Sequence, residues 1–174
     1  DAGACWIDEE LVYINPVHCC MYLQERISAP CKVTLELPDE YSVACSMDSS
    51  KHGVFNAKSF HELVDSPWMA SANLQHEIYT VEQIAFHVWF HGNVVPDWPK
   101  VLNDFSRFSE VQLQMMCGFP VREYHFLILA LPYTLYHGVE HLSSTVLALG
   151  PAGHLMESPR YEDLAGVASH ELFH

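Results

Sequence analysis

His170-Glu171-Leu172-Phe173-His174 and, upstream, His137-Gly138-Val139-Glu140-His141-Leu142-Ser143-Ser144 are the stretches whose reading decides the fold. The first has the form H-E-x-x-H. Residues four apart on a helix share one face, so the imidazoles of His170 and His174 can bind one metal ion, with the Glu171 carboxylate beside it. On a zinc site of this kind the two histidines are ligands, and the Glu is the general base that takes a proton from water. The null alternative is a pair of hydrogen-bonded helix histidines.

Outward from that motif, Leu164, Ala168 and Leu172 give an apolar stripe beside the face that carries His170 and His174. Ser158 before Pro159 predicts an N-cap with Pro at the first helical position. The run 124–131 is apolar, bulky and branched, as in a strand buried on both faces, and 145–149 predicts a further strand. Residues 137–141 read as a strand or its edge. Val101, Phe105, Phe108, Val111 and Met115 recur at helical spacing, with Gly118 and Pro120 as the stop. The change of character at 94–99 puts an expected domain boundary there, giving residues 1–96 and 97–174.

The earlier part predicts an antiparallel β domain: strands near 10–14, 31–37, 41–47, 74–80 and 83–90, a loop at 49–53, and a helical turn or two at 58–65. In 83–90, alternation sets His87, Trp89 and His91 on one strand face. No Glu follows His87, so the His87–His91 spacing reads as ordinary strand histidines.

Composition narrows the partners. Eight Lys+Arg against 22 Asp+Glu give a formal charge of −14, which repels phosphate backbones and excludes nucleic acid as an expected partner. No apolar run is long enough to span a bilayer, and no targeting segment is visible, which leaves cytoplasm and periplasm both open. The six cysteines lack a C-x-x-C and include the adjacent pair Cys19-Cys20, so they read as reduced thiols.

The stretch 137–144 followed by a helix carrying His170 to His174 resembles the glycyl aminopeptidase family of zinc metallopeptidases, relatives of thermolysin. Leu35-Glu36-Leu37-Pro38, Leu63-Val64-Asp65-Ser66-Pro67 and Gly118-Phe119-Pro120 are similar to the same family. The resemblance implies an α+β chain: an antiparallel β-sandwich-like N-terminal domain, then the first half of a thermolysin-like catalytic domain. It implies Zn²⁺ held by His170 and His174, Glu171 as general base, and Glu140 as partner of a peptide substrate's free N-terminus. Gly138, Val139 and His141 belong to the edge strand along which the peptide would lie.

His137 stands where the family has a first glycine, which bears on the preference for N-terminal Gly or Ala. A related endopeptidase and a non-catalytic peptide-binding module are the other expectations. The third zinc ligand of that family lies downstream of the motif, so the resemblance implies weak or absent zinc and no activity in these 174 residues. It also implies a missing C-terminal catalytic half, with the last helix frayed or packed on a second copy.

Overall fold

A computed structural model describes residues 5–174 as mainly β, with three α-helices. The chain divides into two compact units, Asp1–Asn73 and Leu74–His174.

The first unit contains β1 (Cys5–Ile7), β2 (Val12–Ile14), β3 (Cys31–Thr34), β4 (Ser42–Cys45), β5 (Asp48–Lys51), β6 (Val54–Ala57), α1 (Phe60–Val64) and β7 (Trp68–Ser71). Two antiparallel sheets form, in the orders β1-β2-β7-β4 and β3-β6-β5. Cys45 and Trp68 from one sheet meet Phe55 and Ala57 from the other in a shared core with Met47 and Leu63. Apolar faces of two sheets closed on one another make a sandwich. The short helix begins where the Ser59 hydroxyl accepts from the Glu62 backbone N–H, and it ends ahead of Pro67. The loop expected at 49–53 is instead strand β5 and a turn. Its residues are all exposed and polar, so no alternation announces it.

The second unit contains β8 (Gln75–Val81), β9 (Ile84–His91), α2 (Trp98–Met116), β10 (Glu123–Ala130), β11 (Leu135–Glu140), β12 (Ser144–Gly150) and α3 (Arg160–Phe173). Its five-stranded sheet runs β11-β12-β10-β9-β8. The central strand β10 is parallel to both neighbours, β9 and β12, while β8 and β11 add antiparallel edges. A strand parallel to two others is covered on both faces, which is why β10 and β12 read as near-continuous apolar runs. Phe86, Val88, Phe90, Phe126, Ile128, Leu147 and Leu149 from one sheet face pack with Val101 and Phe105 of α2 and Leu164, Ala168 and Leu172 of α3.

The two compact units meet between Asn73 and Leu74, while the change of sequence character lies at 94–99. Strands β8 and β9 look like a continuation of the antiparallel run, but they pair onto β10 through residues far along the chain. The expected first half of a thermolysin-like catalytic domain is not present: Leu74–His174 holds one mixed sheet and two long helices.

Helix α2 buries Val101, Phe105, Ser109 and Leu113, a ridge of every fourth residue, while Val111 and Met115 are 55% and 63% exposed. Asp97 caps it by accepting from Lys100 N–H, and Cys117, not Gly118, takes the left-handed position at its end. The expected Ser158 cap is not formed. The first turn of α3 is held instead by backbone bonds, Tyr161 N–H to the Glu157 carbonyl and Asp163 N–H to the Pro159 carbonyl. No helix is long and apolar enough to cross a membrane among the described residues.

Candidate active site

Helix α3 lies against β12 and the edge strand β11, which brings both sequence stretches to one place. Its position is fixed from α2. The Gln112 amide donates to both the backbone carbonyl and the hydroxyl of Ser169, at 2.8 and 2.9 Å, one residue before His170. Tyr161 O–H donates to Asp104 at 2.9 Å at the other end of the helix. Leu164, Val167, Ala168 and Leu172 are buried in the unit's own core, which covers the apolar stripe of the helix.

On its exposed face the Nε2 atoms of His170 and His174 are 3.1 Å apart. Two nitrogen ligands about 2.05 Å from a tetrahedral ion sit about 3.3 Å apart, so the pair is already close to chelating separation. Neutral imidazoles in this relation are the donor type that suits zinc. Among the described residues no third His, Cys, Asp or Glu joins this pair in a cluster of metal-ligand dimensions.

Glu171, between them in sequence, is only 8% exposed. Its carboxyl lies over Gly138 of β11. A Cβ built on Gly138 would meet Glu171 Cδ at 2.6 Å and Cγ at 2.7 Å, so only glycine leaves room for the carboxyl there. Burial pushes the Glu171 carboxyl above its ordinary value, and the neighbouring Glu140 pushes it the same way by charge and a hydrogen bond. His170 and His174 pull it down. The structure thus joins Gly138, Glu140 and Glu171 across the strand–helix contact and sets both histidines beside them.

Among the described residues the outer side of β11 pairs with no strand, and its sheet neighbour is β12. Thr145 O–H donates to the Val139 carbonyl at 2.9 Å, bracing the strand from β12. His141 lies just past the strand end, where its backbone N–H donates to the Ser144 carbonyl and closes the turn into β12. Gln112 and Thr145 were not singled out in the sequence. Both are polar residues on regular elements, and only the tertiary contact gives them a role.

Residues 1–72 match the family model of the Peptidase M61 N-terminal domain, so the first unit is similar to the N-terminal domain of those peptidases. No curated protein matches the chain. Among solved structures, an aminopeptidase N family protein from Idiomarina loihiensis aligns with a TM-score of 0.87 at 23% identity, covering 98% of this chain and 31% of its own. An M1 zinc metallopeptidase from Deinococcus radiodurans aligns with a TM-score of 0.57 at 14% identity, covering 97% of this chain and 41% of its own. The first unit is thus similar to a peptidase N-terminal domain, and the chain as a whole shares its fold with part of these two larger proteins and spans under half of their length.

Proposed function

We propose that this chain is part of a zinc-dependent aminopeptidase that removes N-terminal residues, Gly or Ala among them, from peptides. Asp1–Asn73 is then the end of its N-terminal sandwich, and Leu74–His174 carries the H-E-x-x-H helix. The observation that supports this most is the meeting of the edge strand and the H-E-x-x-H helix. An unpaired strand edge, a carboxyl seated through Gly138, a second carboxyl at Glu140 and two converging imidazoles share one surface.

His170 and His174 would hold the zinc ion, which when bound supplies Lewis-acid chemistry to a water and a carbonyl. The chain's own residues do the rest. Glu171, largely buried beside Gly138, would accept a proton from the attacking water and return it to the leaving amine. The edge of β11 pairs with the peptide backbone and fixes its direction. Glu140, exposed at the end of that strand, is the anion for a substrate's α-ammonium, and this contact fixes the distance from the chain terminus to the scissile bond. His137 is exposed on the same strand and narrows the space next to the substrate.

The test uses the longer protein. Glu171→Gln keeps the shape of the side chain and removes its proton-accepting oxygen, so peptide hydrolysis should be lost while zinc content by elemental analysis stays at native level. Retained hydrolysis in that variant contradicts the assignment.

A further inference from the structure

The other face of the second unit's sheet carries a group of imidazoles that the site above does not use. Along β9 the buried Phe86, Val88 and Phe90 alternate with His87 and Trp89, and along β10 Glu123 and His125 share a face because they are two residues apart. The parallel register sets His125 directly beside His87, and the β8–β9 pairing sets His76 beside Trp89.

The four rings form a block two deep. His76 stacks on Trp89 with centroids 3.5 Å apart, and His87 stacks on His125 at 4.3 Å. Edge to edge, His87 Nδ1 is 3.1 Å from His76 Nε2, and Trp89 N–H donates to His125 Nδ1 at 3.3 Å. Glu123 borders the block, its Oε2 3.9 Å from His87 Nε2. That is too long for a hydrogen bond. One ligand atom each from His87, Glu123 and His125 lie within 4.8 Å of one another, dimensions at which three donors can converge on a cation.

We propose that His87, Glu123 and His125 form a second metal site, for a divalent transition-metal ion of the kind that takes two imidazoles and one carboxylate. Two nitrogens and one oxygen match Ni²⁺, Zn²⁺ or Cu²⁺ far better than Mg²⁺ or Ca²⁺. Burial favours the neutral form of both buried-side imidazoles, which is the form that ligates. The Glu123 side chain is 67% exposed, giving an ion a way in and the carboxylate room to move toward it. In the ion-bound form His87 donates through Nδ1 to His76 Nε2, the outer partner that orients a ligating histidine.

The ion-free geometry also says what binding must change. His87 and His125 lie face to face, 4° from parallel, whereas their lone pairs must converge on an ion. Binding therefore turns the rings out of the stack. Trp89 N–H can only donate, so it holds His125 with its proton on Nε2. Ligation through Nε2 moves that proton to Nδ1 and breaks the bond to Trp89, which makes Trp89 emission a direct reporter.

The probe is Ni²⁺ alone, added to the 174-residue chain carrying His170→Ala and His174→Ala, both exposed positions, so that the terminal pair cannot compete. Equilibrium dialysis should find one ion per chain, with quenching of tryptophan emission that Trp89→Phe largely removes. Glu123→Gln, at an exposed side chain, should weaken binding about tenfold or more, as should His87→Gln. The proposal is overturned if a chain with native circular dichroism retains no Ni²⁺. It is equally overturned if neither Glu123→Gln nor His87→Gln changes the affinity beyond about twofold.

Discussion

Replacing Gly138 by alanine separates the role of this glycine in the site from any role in folding. The added methyl would fall 2.6 Å from Glu171 Cδ and 2.7 Å from Cγ, so the end of a flexible side chain must move, not the backbone. Alanine in a strand is favoured over glycine by about 0.5–1 kcal/mol, and displacing a carboxyl whose burial already disfavours its charged form costs little. The net change in stability should stay within about 1 kcal/mol, or about 2–4 °C in Tm for a chain of this size. In the longer protein the same substitution moves the proposed general base by about an ångström, and kcat/KM should fall about 100-fold, equivalent to about 2.7 kcal/mol. Gly166→Ala is the control. It lies in α3 with no atom within 4 Å of an added Cβ, so it should raise stability by about 1 kcal/mol and leave kcat/KM unchanged. Thermal melts of the chain and steady-state kinetics of the longer protein read the two effects. Native kcat/KM in Gly138→Ala would refute the idea that Glu171 works from this seat.

Other predictions concern the core, a thiol and the metal pair. Phe126 is fully buried against Phe105 and Tyr124, at 5.0 and 5.2 Å between ring centroids, so Phe126→Ala should cost about 3–5 kcal/mol in urea unfolding. Burial pushes the Cys45 thiol up to about 12 from 9.0, so at pH 8 iodoacetamide should modify the exposed Cys117 and leave Cys45 intact in the native chain. Because its native pKa is raised, Cys45 contributes nothing to pH dependence below pH 9. Between pH 9 and 12 this thiol ionises only in the unfolded chain, so it should lower stability by up to about 1.4 kcal/mol per pH unit, a contribution that Cys45→Ala removes from the total slope. Zinc at the terminal pair of this chain should be weak and removable by chelator without loss of secondary structure, and His174→Ala should abolish it.

Much of the site was legible because it is built from local spacing. H-E-x-x-H needs only a helix to bring two imidazoles together, and the apolar stripe of Leu164, Ala168 and Leu172 shows which face stays out. The seat of Glu171 on Gly138 was not legible, since it depends on how α3 crosses a strand about thirty residues earlier. The grouping of β8 and β9 with the later strands was not legible for the same reason. β8 and β9 carry ordinary antiparallel alternation, and nothing local says that β9 will pair in parallel with β10. Val111 and Met115 fit a helical period yet lie outside, because the buried ridge follows every fourth residue from Val101 through Ser109 to Leu113. His87 and His91 read as ordinary strand histidines and do lie on β9, but His125 becomes the neighbour of His87 only through long-range register.

The most direct test of the proposed aminopeptidase compares hydrolysis of one peptide by the longer protein with its N-terminus free and with it acetylated. The account predicts cleavage of the free peptide, near-complete loss on acetylation, and a selective rise in KM for the free peptide in Glu140→Gln. Equal rates on both peptides, unchanged in Glu140→Gln, would contradict it.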